Sequence, residues 1–599
     1  MTDLAVSLGP GLLREVHETG VLNWGDVHVA QKVAHLFGDA DQRVQLALAL
    51  TTRALRQGST CLELDQIDQT RFETDAESVV QIPDDLWPET EEWLAAIAAS
   101  PLVHFGAEAG GDRPLRLVGQ RLYLERYWQE ETTVAQELLA RRAAATDPPH
   151  ADQLKAAAAE LLEPADDADQ ALAAVVPLFT GVSVIAGGPG TGKTYTLARV
   201  LGMLTRCAAR PPLIALAAPT GKAAVRMDES MAKALIGMPA DLAAELGALR
   251  ATTIHRLLGW VPEARNRFRH NRANPLPHDV VVVDEASMVS VTLMARLLEA
   301  LRPGARLVLV GDPNQLAPVE AGAVLADIVE APAAEVPALR DGLAALGLSA
   351  AARPVAVLRR NHRSGQTIAE LAAAVLAGDA DAVERLATAG SAEVGFAESA
   401  EAAGLPELVS RVGVAMIRAA RVGDVTGALT ELESHRLLCA HRHGPFGVSN
   451  WSRRVEDWIA EALPDFDPTP LWYAGRPVLV TQNSPEVGLF NGDTGVVVEA
   501  AGQLRAYFAR GGRTQAVSPF VLDAVATIHA MTVHKAQGSQ FAQVSLILPD
   551  PDSPLLTREL LYTAITRAEQ RVNLIGSLES LRRAVTNRAR RASGLLARL

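Results

Sequence analysis

Residues 182–194 read VSVIAGGPGTGKT, an apolar run, a glycine-rich turn and then the start of a helical pattern; no other stretch constrains the fold as strongly. Gly187, Gly188, Pro189, Gly190, Thr191, Gly192, Lys193 and Thr194 match the phosphate-binding loop in the strand–loop–helix context it requires. The glycines let successive backbone amides turn toward an anion, and the N-terminus of the following helix favours negative charge. Lys193 is placed to reach the β- and γ-phosphates of ATP, and Thr194 to ligate magnesium. Such a loop sits at the end of a parallel sheet. The flanking sequence supplies one: SVIAG, PLIALAAP, VVVVDEA and RLVLVGD are short apolar runs alternating with helical segments, each ending in a turn.

Two more of these runs end in candidate catalytic groups. Val280–Val283 is followed by Asp284 and Glu285, a buried strand leading into paired acids. Asp284 is placed to hold magnesium and Glu285 to orient and deprotonate an attacking water. A third run ends in Gly311-Asp312-Pro313-Asn314-Gln315, where Gln315 is either a sensor of the γ-phosphate or part of an ordinary Asp-Pro-Asn turn. A nuclease centre is not expected. The six lysines, at 32, 155, 193, 222, 233 and 535, all lack an acid two positions earlier, so the acid-x-Lys element is missing.

The net charge of −14 looks unfavourable for a nucleic-acid ligand, but it is unevenly spread. Residues 1–169 hold 13 Lys+Arg against 30 Asp+Glu, a net of −17, which leaves +3 for residues 170–599. Acidity therefore belongs to the N-terminal region, and the remainder is free to carry a basic channel. Three distant cysteines form no metal or disulfide pattern. The opening residues lack signal-peptide character and no apolar run is long enough to span a membrane, so a cytoplasmic protein is expected.

The expected fold is α/β with three parts. Residues 1–150 form a mainly helical domain, and an Ala- and Asp-rich helical connector follows at 143–169. Residues 151–349 form a first parallel-sheet domain with a basic insertion at about 260–279. Residues 350–599 form a second, carrying a small β-barrel insertion at about 475–525 and a basic helical end after Arg582.

Taken together, GGPGTGKT, APTGKAA, TIHRLLG, VVVDEASM, GDPNQLAPV, LRRNHRS, FNGDTG, TVHKAQGSQF and LYTAITRAEQRV resemble the ordered motifs of superfamily 1 helicases, over about residues 170–575. The resemblance implies two RecA-like motor domains with ATP between them. It implies that Arg363 and Arg567 reach the γ-phosphate from the second motor and that Gln170 reads the adenine. It also implies DNA contacts by Thr220, Lys222, His255, Thr532, His534 and Lys535; Trp260 and Phe268 are candidates either to stack on bases or to pack.

Residues 46–64 and 121–138 resemble the N-terminal domain of the RecD family, superfamily 1B subunits of helicase–nuclease complexes. This implies 5′→3′ movement on single strands and duplex ends of DNA, repair of double-strand breaks by recombination, and RecB-like and RecC-like partners in a heterotrimer. Tyr123, Tyr127 and Trp128 are candidate partner contacts, or core residues. A stand-alone RecD-like helicase, an RNA helicase and a non-catalytic structural subunit are the competing readings.

Overall fold

The computed structural model describes residues 11–599, apart from 66, 68–71, 75–78, 109, 144–147, 163–167, 262–266, 364, 485, 511–512 and 590. Parts of the expected connector and of the 260–279 insertion therefore lie outside the described residues.

The apolar runs of the first motor region form a six-stranded sheet. Its order is Val355–Leu358, Val182–Gly187, Arg306–Gly311, Val280–Val283, Ile214–Ala218 and Ala251–Thr253. Every pairing in it is parallel. Alternate residues feed two cores, as strand geometry demands. Val280, Val282, Val308 and Val310 pack on one face with Leu197, Leu201 and Met231. Val281, Val283, Leu307 and Leu309 pack on the other with Met294, Leu297 and Leu298. Helices cover both faces, which explains why these strands read as continuous valine and leucine rather than as alternation. Val355–Leu358 lies past the boundary expected at 350, yet it pairs with the strand that leads into the phosphate loop.

A second sheet, with five strands, runs Val394–Ala397, Ala568–Ile575, Phe541–Ile547, His435–Cys439 and Ala530–Thr532, and is also wholly parallel. Inserted in it is an antiparallel sheet of order Arg513–Val517, Gln503–Arg510, Thr494–Ala500, Pro477–Val480 and Val525–Thr527. Its two edge strands are not paired with each other among the described residues, so the insertion is a five-stranded sheet where a small barrel was expected.

The N-terminal region combines helices with strands that the hydropathy pattern did not reveal. Helices Leu12–Glu18, Trp24–Phe37 and Gln42–Arg56 pack with a four-stranded sheet of order Cys61–Glu63, Arg121–Leu124, Leu115–Val118 and Val103–Phe105. Strands of three or four residues are too short to show alternation. Asn23 and Asp26 form a reciprocal capping box that fixes the start of Trp24–Phe37.

Helix Glu125–Ala143, inside the region expected to be separate, is part of the first motor core. Val134, Ala135 and Leu138 join the cluster containing Val281 and Leu309. Buried Arg141 donates to the carbonyl of Leu301 at 2.9 Å, satisfying the end of the neighbouring helix Val291–Ala300. Tyr123 and Trp128 are buried within the chain, as core residues rather than partner contacts, and Tyr127 is half-buried. The chain end is a further correction. The last α-helix, Leu578–Thr586, stops soon after Arg582, and an irregular strap follows, with one short 3-10 turn at Leu596–Arg598.

Candidate active site

The phosphate loop joins Val182–Gly187 to helix Lys193–Arg206, with Gly190 and Gly192 both at φ 82°. Only glycine adopts that conformation without strain. The Lys193 ammonium donates to the carbonyls of Gly187 at 2.8 Å and Gly188 at 2.9 Å, so the lysine lies back along its own loop. Thr191 Oγ1 donates to Gly188 at 2.8 Å. Gln170, buried on helix Ala168–Phe179, reaches the loop from the opposite side, its amide 3.4 Å from the Thr191 carbonyl.

At the end of the neighbouring strand the backbone turns sharply. Glu285 sits at φ 50°, a left-handed conformation that costs a residue with a Cβ about 1–2 kcal/mol. Its amide donates to Asp284 Oδ1 at 2.8 Å, and both carboxylates line the cleft. Burial and the adjoining Glu285 charge push Asp284 up to about 6, against the pull of Lys193.

The turn after Arg306–Gly311 satisfies both readings of Gln315. Asp312 Oδ1 accepts from the Asn314 amide at 3.0 Å, which is the Asp-Pro-Asn turn, while Gln315 lines the cleft and donates to Asp312 Oδ2 at 3.1 Å. The same oxygen accepts from the Tyr562 hydroxyl at 3.0 Å, across from helix Arg558–Ile565 of the second motor. Burial raises the Asp312 carboxyl, while Lys193 and these donors hold it down. Burial and Asp312 together drive the Tyr562 hydroxyl well above its usual range, so it stays a donor.

The cleft, about 670 Å³, is closed by groups from the second motor. His362 N–H donates to Gly190 at 2.9 Å, and Leu316 N–H to Thr563 Oγ1 at 3.0 Å. Arg363 is exposed and pairs with Gln540. Arg567 is buried, held by the Thr563 carbonyl at 3.1 Å and the Ser539 carbonyl at 3.3 Å. Burial draws its guanidinium down while Glu285 supports the charge; arginine stays ionised in such a setting. Lys193, Thr194, Asp284, Glu285, Gln315, Arg363 and Arg567 thus line one space, and Gln170 abuts the loop behind it.

The residues expected to meet DNA are more dispersed. Thr220 follows its strand and Thr532 ends its own, both as N-caps that accept from a backbone amide through the side chain. Lys222 is half-buried, and its ammonium donates to Gly492 at 2.9 Å and Ser539 Oγ at 2.8 Å, joining the two motors. Burial first, then Arg226, draws it down to about 7. His255 lines a separate 400 Å³ groove with Phe268, Arg126 and Arg296, its ring 5.8 Å from Phe268. Burial lowers His534 to about 4 and also lowers Lys535. Sequence reading missed Asp312, Tyr562 and Arg226. Tyr562 stands in a quoted motif, but nothing in a one-dimensional pattern separates a tyrosine aimed at a buried acid from one that fills a core.

Residues 18–123 match the family model for the N-terminal domain of RecBCD enzyme subunit RecD, residues 170–321 an AAA domain, and residues 527–575 the UvrD-like helicase C-terminal domain. RecBCD enzyme subunit RecD of Mycobacterium tuberculosis is 46% identical over 604 residues, covering 100% of this chain and 98% of its own. The ATP-dependent RecD2 DNA helicase of Deinococcus radiodurans is 30% identical over 422 residues, 69% of this chain and 50% of its own. Among solved structures, Pif1 helicase from Candida albicans aligns over 70% of this chain and 97% of its own, at 16% identity and a TM-score of 0.36. Similarity to a RecD subunit along the whole chain, with the characteristic N-terminal domain included, makes this chain a member of the RecD family of RecBCD enzyme subunits.

Proposed function

We infer that this chain is an ATP-dependent DNA helicase, the 5′→3′ translocating subunit of a RecBCD-type helicase–nuclease that processes double-strand breaks for recombinational repair. One observation carries the reading: a single cleft lined from one side by Lys193, Asp284, Glu285 and Gln315 and from the other by Arg363 and Arg567. A site divided between two sheets couples chemistry at the nucleotide to their relative movement.

In this reading Lys193 leaves the Gly187 and Gly188 carbonyls to meet phosphate oxygens, and Gln170 meets the base. The donor set suits a hard divalent cation, since the Thr194 hydroxyl and the Asp284 carboxylate are both oxygen ligands lining the cleft. Thr194 and Asp284 would hold magnesium, which supplies positive charge to the β- and γ-phosphates when bound. Glu285 accepts a proton from the attacking water, and Gln315 orients that water. Arg363 and Arg567 meet charge that develops on the transferred phosphoryl group, a contribution typically worth about 10³–10⁵ in rate. The contacts His362–Gly190, Tyr562–Asp312 and Thr563–Leu316 tie the second motor to the first around the loop, so a change at the phosphates is felt directly by the second sheet.

RecB-like and RecC-like partners, single-stranded DNA and duplex ends as substrates, and a cytoplasmic setting complete the proposal. Among the described residues no helix is long and apolar enough to cross a membrane. Polarity is tested by strand displacement with the partners' ATPases inactivated. A duplex with a 5′ single-stranded tail should be opened and one with a 3′ tail left intact; opening only of the 3′-tailed duplex would overturn the direction.

A further inference from the structure

Helix Gly221–Ala234 carries a second cation one turn beyond Lys222. Arg226 lines the same cleft as Lys193, Asp284, Glu285, Arg363 and Arg567. It also lines a neighbouring 450 Å³ cavity beside the inserted sheet, so it stands in the wall between the two. Burial is the main influence drawing its guanidinium below the usual range, and Glu285 is the first opposing charge that supports it. Arg363 and Arg567 stand close enough to repel it. Among the described residues Arg226 makes neither a hydrogen bond nor an ion pair.

A guanidinium presents five donors in a fixed fork. Arg226 is half-buried, and leaving these donors unmatched there, beside two other guanidinium groups, is costly unless a ligand accepts them. A multiply charged anion with several oxygens answers both the unmatched donors and the repulsion. The cations converge near Glu285 and across from Arg567, so the anionic group they suit is the terminal phosphate rather than the one nearest the base.

We propose that Arg226 is a direct ligand of the ATP γ-phosphate, a third arginine supplied by the first motor opposite the two from the second. This rests on the reading of the cleft as the ATP site. It adds a contact that ADP cannot make, on a helix that also carries the Lys222 bridge to the second motor.

The test is equilibrium binding of ADP and of the non-hydrolysed analogue adenylyl-imidodiphosphate, each with magnesium, to the full chain. Arg226→Ala should weaken the analogue by about tenfold or more, the loss of a charge-assisted hydrogen bond, while ADP affinity stays within about twofold. Retained ADP binding also reports an intact fold. Arg226→Lys, which keeps the charge but not the fork, should recover part of the loss. Equal affinities for both nucleotides in wild type and Arg226→Ala would overturn the proposal, as would unchanged analogue binding with a fall only in kcat, which would make Arg226 a positioning group for Glu285. A wild-type chain that binds neither nucleotide would overturn the ATP-site reading itself.

Discussion

A β-carbon built on Gly188 would meet the Tyr562 hydroxyl at 2.6 Å, while the next carbon of that ring stands at 3.9 Å. The clash is therefore with a single oxygen. Gly188→Ala should reduce ATP turnover strongly, and adding Tyr562→Phe should restore part of it, because the second change removes the atom that the first one meets. Steady-state ATPase of the two single variants and the double variant checks this; a double variant no better than Gly188→Ala alone would contradict the packing. Arg363 and Arg567 give a second residue-scale expectation. Their replacement by alanine should lower kcat much more than it weakens nucleotide binding, since their contacts strengthen as phosphoryl charge develops. Nucleotide affinity falling in step with the rate would make them ground-state ligands. Lys193, Asp284 and Glu285 were legible in the sequence because backbone geometry fixes their offset from a strand end. Tyr562 and Arg226 were not, because their roles depend on which way a helix face turns after two sheets have come together.

At the element level, the valine and leucine runs announced the first parallel sheet, since strands covered on two faces tolerate few polar residues. The N-terminal sheet stayed hidden in strands of three or four residues, and the chain end read as helical because composition alone suggested it. On helix Gly221–Ala234, Lys222, a candidate DNA contact, bridges to Gly492 and Ser539 in this structure. Its burial has a pH consequence. Its folded value near 7 lies below the usual lysine value near 10.4, so between about 7 and about 10 the unfolded chain holds the proton more tightly. Stability rises with pH wherever the unfolded state binds more protons. Wild type should therefore gain thermal stability relative to Lys222→Met as pH rises across that window, measured by paired unfolding curves. A difference that is flat or falling with pH would contradict the buried position.

Over the whole molecule, the first and last segments are joined. Thr60 N–H donates to the Ala592 carbonyl at 2.9 Å, and buried Glu131 accepts from Ser593 and Gly594, both at 3.1 Å. Leu595 lies in the same core cluster as Val281 and Leu309. The acidic N-terminal region, suited by its charge to a basic partner surface, is thus fastened to the motor by both Glu125–Ala143 and the C-terminal strap. A chain beginning at Glu125 should keep DNA-stimulated ATPase but no longer co-purify with RecB-like and RecC-like chains. One beginning at Ala151 should be insoluble or inactive, because it loses Val134, Ala135 and Leu138 from the motor core. Retention of the full complex by the chain that begins at Glu125 would contradict the docking role.

Above all, the proposed function requires ATP turnover in the cleft between the two sheets in response to DNA. Single-strand-stimulated ATP hydrolysis by the purified full chain, compared with Lys193→Ala, tests it most directly. Turnover should rise on adding single-stranded DNA in the wild type and be abolished in the variant, with thermal unfolding unchanged. Comparable turnover in the two proteins, or a wild-type rate indifferent to DNA, would contradict it.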